Sequence, residues 1–206
     1  MSSLLSLTSI ETAITQNVNA ALAEDIGLGD VTAALIPPEK ISRASIYLRE
    51  DAVIAGQAWF DACFKAIDAE IKIEWQVKEG DFVPAQQVVC YVTGPARALL
   101  TAERAALNFL QTLSGVATLT RQYVLATQAY PAKIMDTRKT IPGLRIALKY
   151  AVSMGGGYNQ RIGLFDGILI KENHIAAAGG VRQALYAAQQ EVVQHLVPIQ
   201  IEVENL

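Results

Sequence analysis

At 206 residues the chain can hold one large domain or two small ones with a full core, and 51% hydrophobic against 18% charged residues excludes disorder. Seventeen Lys or Arg against 20 Asp or Glu make it acidic, which excludes a general nucleic-acid surface. No basic region followed by an apolar core opens the chain and no apolar run could span a bilayer, so a cytoplasmic protein with no membrane partner is expected.

Thr8-x-x-Glu11 fits a capping box opening an amphipathic helix through about Glu24, with Ile14, Val18, Ala21 and Leu22 as its stripe. Gly27 and Gly29 in EDIGLGDVT break it. From Ser42 to Thr93 the period falls to two: Ser45 to Leu48, Ile71 to Val77 and Val88 to Val92 read as strands, with turns at Gly80-Asp81 and Gly94-Pro95. This predicts an antiparallel meander flanked by helices, an α+β unit. Cys63 and Cys90 share no metal-ligand spacing and are expected as two reduced, buried thiols.

A helix is predicted from Ala98 to about Ala117, with Leu99, Ala106, Leu107, Leu110 and Leu113 on its apolar face. Arg104 lies near that face. It either needs an anionic partner or is an exposed residue paired with Glu103 or Glu79.

The stretch from Lys133 to His174 holds seven Lys or Arg against three Asp or Glu, a local cationic excess that points to a small anionic ligand. Three short apolar runs, read as buried strands, end in charged residues: Ala132 to Met135 before Asp136-Thr137-Arg138-Lys139, Gly167 to Ile170 before Lys171-Glu172-Asn173-His174, and Pro198 to Val203 before Glu204-Asn205. Between the first two a helix is predicted, with Pro142 in its first turn, a stripe of Leu144, Ala147, Leu148, Ala151 and Val152, and Gly155 to stop it. Between the second and third, Val181, Ala184, Leu185, Ala188 and Val192 keep helical spacing. Exits recurring about every 34 residues predict βα units, and charges clustered there predict a site at the C-terminal mouth of a barrel.

AEDIGLGDVT, AERAALNFLQTLSGVAT, DTRKTIPGLRIALKYAV, GGGYNQRIGLFDGILIKENHI and IEVENL resemble, in order and over nearly the whole chain, the quinolinate phosphoribosyltransferase family. The resemblance implies an N-terminal α/β sandwich domain with an antiparallel sheet at residues 1–115, then an incomplete, truncated α/β barrel carrying the site at 116–206. It implies transfer of phosphoribosyl from phosphoribosyl pyrophosphate to quinolinate with decarboxylation, using magnesium, by a homodimer. Thr137, Arg138, Lys139, Gln160, Arg161 and Lys171 match the substrate-binding segments, with Lys139 and Lys171 as the catalytic pair. Arg104 matches a residue that reaches the neighbouring subunit's site, and Glu204 a family acid. No protein metal ligand is implied. His174 is expected to be a structural hydrogen-bonding residue, and His195 to lie on the surface.

The family's Asn-His-Arg reads Asn159-Gln160-Arg161 here, a neutral amide in place of an imidazole, and its Lys-Asp-Asn-His reads Lys171-Glu172-Asn173-His174. Family chains continue through further βα units, so an unfinished barrel and an inactive 206-residue chain are expected. The alternatives are an inactive or anion-binding paralogue, a relative using another anionic acceptor, and a Schiff-base lyase on Lys139 or Lys171.

Overall fold

Ser6, not Thr8, opens the first helix, α1 (Leu7–Ile26). Its Oγ accepts the Ser9 N–H at 3.1 Å, and its extended backbone is the one an N-cap requires. The expected capping box at Thr8 is corrected accordingly. The structure, a computed structural model, describes residues 5–195 and 197–203, with backbone alone for 193–195. Val18 and Leu22 of the predicted stripe are buried, and Gly27 ends α1 in the left-handed region at φ 53°. Asp30 in the following GDVT segment accepts the N–H groups of Ala33 (2.9 Å) and Thr32 (3.0 Å) and the Thr101 hydroxyl (2.8 Å). These bonds, that from Ala33 foremost, hold its carboxyl below the ordinary range.

Next come β1 (Ile41–Tyr47), β2 (Ala52–Val53), α2 (Gln57–Ile67), β3 (Lys72–Trp75), β4 (Phe82–Val83) and β5 (Val88–Pro95). The main sheet is antiparallel in the order β1-β5-β3, and β2 pairs with β4 apart from it. A simple meander is therefore corrected: the last strand sits at the centre, because α2 intervenes and buries Trp59, Phe60, Cys63 and Phe64 in the core. Gly80-Asp81 is a turn, with Gly80 at φ 83° and Asp81 N–H on Lys78 O at 3.2 Å. Gly94-Pro95 is not, since β5 runs straight into the next helix. Gly94 serves a close approach instead, as a Cβ there would lie 2.8 Å from Ile71 Cγ1. Cys63 and Cys90 are free and buried, and burial pushes both thiols up to about 12, so neither is a thiolate at neutral pH.

Helix α3 (Ala96–Thr127) is longer than predicted at both ends and crosses the expected domain boundary at 115–116 unbroken. Its Thr118 Oγ1 accepts Val53 N–H at 2.8 Å and its Ser114 Oγ accepts Ala55 N–H at 3.1 Å, satisfying backbone at the short β2 edge. The compact units divide between Asn159 and Gln160. Helix α4 (Arg145–Met154) has Leu144 as its N-cap. Pro142 is thus corrected to the turn before the helix, which Leu144 N–H closes on Ile141 O at 3.1 Å.

Arg121 of α3 caps the end of α4, its Nε donating to Gly155 O at 2.9 Å. At Gly155 a Cβ would stand 2.5 Å from Ala117 O and 2.6 Å from Thr120 Cβ. Neither can withdraw without moving α3. Gly155→Ala is therefore expected to cost about 2 kcal/mol, roughly 4–8 °C in Tm by calorimetry. An unchanged Tm would mean that the two helices separate freely.

The first predicted strand of the cationic stretch, Ala132 to Met135, reduces to one parallel bridge between Met135 and Tyr158. It is not buried: Met135 is exposed, because a two-residue pairing without further strands cannot be covered. In the second unit β6 (Ile168–Ile170), α5 (Glu172–Ala178), α6 (Val181–His195) and β7 (Ile199–Ile201) follow, and β6 and β7 pair in parallel. Ile170, Ala184 and Ala188 form its core. The short α5 was not predicted, and the third strand is trimmed to Ile201. Among the described residues no helix is long and apolar enough to cross a membrane.

Candidate functional site

In the first unit Asp136 N–H donates to Tyr158 O at 3.0 Å, and the chain then turns through Thr137, Arg138 and Lys139. Lys139 N–H reaches Thr137 Oγ1 at 3.0 Å and Thr140 N–H reaches Arg138 O at 3.0 Å, a side-chain-closed turn that brings the three predicted residues into one loop. Lys139 is exposed, whereas Arg138 is half-buried and its Nε–H is buried without a hydrogen-bond partner. An orphan buried guanidinium donor costs about 1–3 kcal/mol, and an anionic ligand would offset it.

The second unit repeats this feature. Arg161 donates from Nη1 to Gly167 O at 3.0 Å, yet its Nε–H is also buried and unpartnered. Gln160 donates from Nε2 to Gln200 Oε1 at 2.8 Å. Lys171 leaves β6 as the N-cap of α5, and its Nζ lies 3.0 Å from Glu202 Oε2, a carboxylate carried by the exit of the neighbouring β7. Lys171 N–H donates to His174 Nδ1 at 3.1 Å, so this ring nitrogen serves as the acceptor. His174 thus makes a hydrogen bond at the strand exit, where one was expected of it.

Arg104 is exposed on α3 without a hydrogen bond or ion pair among the described residues. Pairing with Glu103 or Glu79 is corrected. Glu79 Oε1 instead accepts Gly56 N–H (2.8 Å), Gln57 N–H (3.1 Å) and the Tyr150 hydroxyl (2.9 Å). Glu204 lies outside the described residues, and His195 is described only by its backbone. Sequence reasoning missed Glu202, whose signal was its place at the end of Ile199-Gln200-Ile201. It also missed Lys149, a lysine inside the apolar stripe of α4.

Burial raises the Glu79 carboxyl above its ordinary value of 4.5, against the lowering effect of its three donors. A raised value in the folded state means stability that is fully present below 4.5 and is lost as pH rises through the folded value. Glu79→Gln is therefore expected to gain on the wild type as the pH goes from about 5 to about 8, measured by urea unfolding. Parallel stability curves would show Glu79 ionised throughout.

Residues 30–114 match the family model described as quinolinate phosphoribosyl transferase, N-terminal domain, and residues 116–206 match its C-terminal domain. The solved nicotinate-nucleotide pyrophosphorylase of Francisella tularensis is 44% identical, with a TM-score of 0.89 covering 95% of this chain and 69% of that one. The chain belongs to the quinolinate phosphoribosyltransferase family. Within the family, the quinolinate phosphoribosyltransferase [decarboxylating] 1b of Nicotiana tabacum is 45% identical over 190 residues, 91% of this chain and 54% of that protein. The probable nicotinate-nucleotide pyrophosphorylase [carboxylating] of Bacillus subtilis is 44% identical over 188 residues, 91% of this chain and 65% of that protein. This chain spans about half the length of the plant relatives it matches.

Proposed function

We propose that the protein transfers phosphoribosyl from phosphoribosyl pyrophosphate to quinolinate with decarboxylation, giving nicotinate mononucleotide, pyrophosphate and CO2. The observation that supports this most is an orphan guanidinium donor in each unit, Arg138 Nε–H and Arg161 Nε–H, on two of the four residues the family resemblance assigns to a dicarboxylate. Quinolinate carries two adjacent carboxylates, and planar guanidinium groups suit them better than ammonium groups do. The resemblance assigns Thr137, Lys139, Gln160 and Lys171 to binding the same substrates.

In this reading the pyridine nitrogen's electron pair forms the bond to ribose C1 while the C1–O bond breaks, and pyrophosphate leaves with the electron pair of that broken bond. The bond from C2 to its carboxylate carbon then breaks, CO2 departs, and the pair left on C2 takes a proton. Lys139 and Lys171 stabilise the negative charge that develops in these steps.

Among the described residues no three His, Cys, Asp or Glu come together, so a magnesium ion would rest mainly on phosphate oxygens and water. Glu202, exposed at a strand exit, fits as a protein carboxylate beside it, together with the Glu204 that the resemblance assigns. When bound, such an ion offsets the charge of the departing pyrophosphate.

The remaining family features belong to the same proposal: domains dividing near residue 115, an α/β barrel begun by β6 to β7, a cytoplasmic homodimer, and Arg104 serving the neighbouring subunit. For the dimer, Leu28, Val31 and Leu35 are exposed beside α3, where Asp30 bonds Thr101 and Arg97 bonds Ile36 O at 2.6 Å. Apolar side chains held out in this way suit a partner's surface. The test is release of labelled CO2 from carboxyl-labelled quinolinate by the full-length protein. Release that requires phosphoribosyl pyrophosphate is expected. Quinolinate binding without turnover would make the protein an anion-binding paralogue.

A further inference from the structure

Lys149 has no solvent exposure and shares the inner face of α4 with Ala147, Leu148 and Ala151. Its Nζ ends 2.5 Å from Asp136 Oδ1. Asp136 Oδ2 accepts Asn159 Nδ2 at 2.8 Å, and Asn159 also donates to Lys149 O at 2.8 Å and accepts the Ser153 hydroxyl at 3.0 Å. One helical turn before Lys149, Arg145 donates from Nε to Thr140 Oγ1 at 3.2 Å and from Nη2 to Arg138 O at 3.5 Å. Residues four apart on a helix share a face, so α4 holds the loop at both ends, Asp136 and Thr140.

We propose that Lys149 and Arg145 are positioning residues, with α4 acting as a splint that aims Arg138 and Lys139. This rests on the reading of that loop as a substrate-binding segment. A buried ion pair is a poor device for stability alone, because neutral groups of similar volume replace it at little cost. It does fix register, and Asp136 immediately precedes Thr137, Arg138 and Lys139. Loss of the splint should therefore loosen the loop without unfolding the chain.

The test removes both buried charges together, because Lys149→Met alone would strand the Asp136 carboxylate in the core. In the full-length protein Asp136→Asn combined with Lys149→Met is compared with Arg145→Met, whose arginine is only half-buried and which stays informative should the double variant not fold. Melting temperatures are expected to stay near wild type while native-state trypsin cleavage after Arg138 and Lys139 accelerates about fivefold or more. Quinolinate affinity by calorimetry should fall about tenfold. Cleavage rates unchanged in the folded variants would overturn the proposal, whatever the affinity. Faster cleavage in a protein whose wild type binds no quinolinate would uphold the splint and sink the substrate reading, so the two fail separately.

Discussion

Lys139→Ala and Lys171→Ala are each expected to lower the turnover of the full-length protein about a hundredfold or more, equivalent to about 2.7 kcal/mol of transition-state stabilisation. The structure separates this loss from unfolding. Lys139 is exposed and makes no ion pair among the described residues, so its removal should leave Tm unchanged. Lys171 does pair with Glu202, but both side chains are well exposed, at 41% and 60%, and such pairs contribute about 0–1 kcal/mol. Steady-state kinetics and calorimetry on the same samples decide the matter. Less than about a threefold loss for both variants, with Tm intact, would remove them from the catalytic set.

What the sequence made legible were the features that repeat. Val18 and Leu22 on α1, Ala147, Leu148 and Ala151 on α4, and Ala184 and Ala188 on α6 are buried where the 3.6-residue period placed them. The parallel pairing of Ile168 with Ile199 and Ile170 with Ile201 follows from a helical connection between two short apolar runs. The errors came where a local signal had a competitor. Trp59, Phe60, Cys63 and Phe64 also carry helical spacing, but β-like composition on either side masked α2. Gly94-Pro95 has turn chemistry, yet the contact with Ile71 explains the glycine.

The candidate site divides in the same way. Thr137, Arg138 and Lys139 were legible because charge stands at the end of an apolar run, and the loop does join them. The groups that hold this loop were not. Lys149 sits in an apolar stripe, where sequence alone cannot tell an exposed lysine from a buried one, and only its partner Asp136, 13 residues away, reveals which it is. Gln160 shows the reverse case. As a residue it looked like a weakened substrate donor, but its Nε2 reaches Gln200 Oε1 in the middle of β7, a contact that sequence alone did not show.

Mixing an Arg104→Ala chain with a Lys171→Ala chain is expected to restore activity that neither has alone. Arg104 is exposed and lacks an anion of its own, although the nearby Asp30, Thr101 and Arg97 are all engaged. Exposed Leu28, Val31 and Leu35 lie beside that face of α3. An unpaired cation bordered by uncovered apolar side chains fits a group whose partner arrives with a second subunit. In a heterodimer one site would combine Lys171 from the first chain with Arg104 from the second and be intact, while the other would lack both. Random exchange at equal concentrations makes half the dimers mixed, so about a quarter of wild-type activity should return. Exchange is verified by native mass spectrometry with one chain carrying a mass tag. Mixed dimers present in that proportion with no recovered turnover would place Arg104 in its own chain's service.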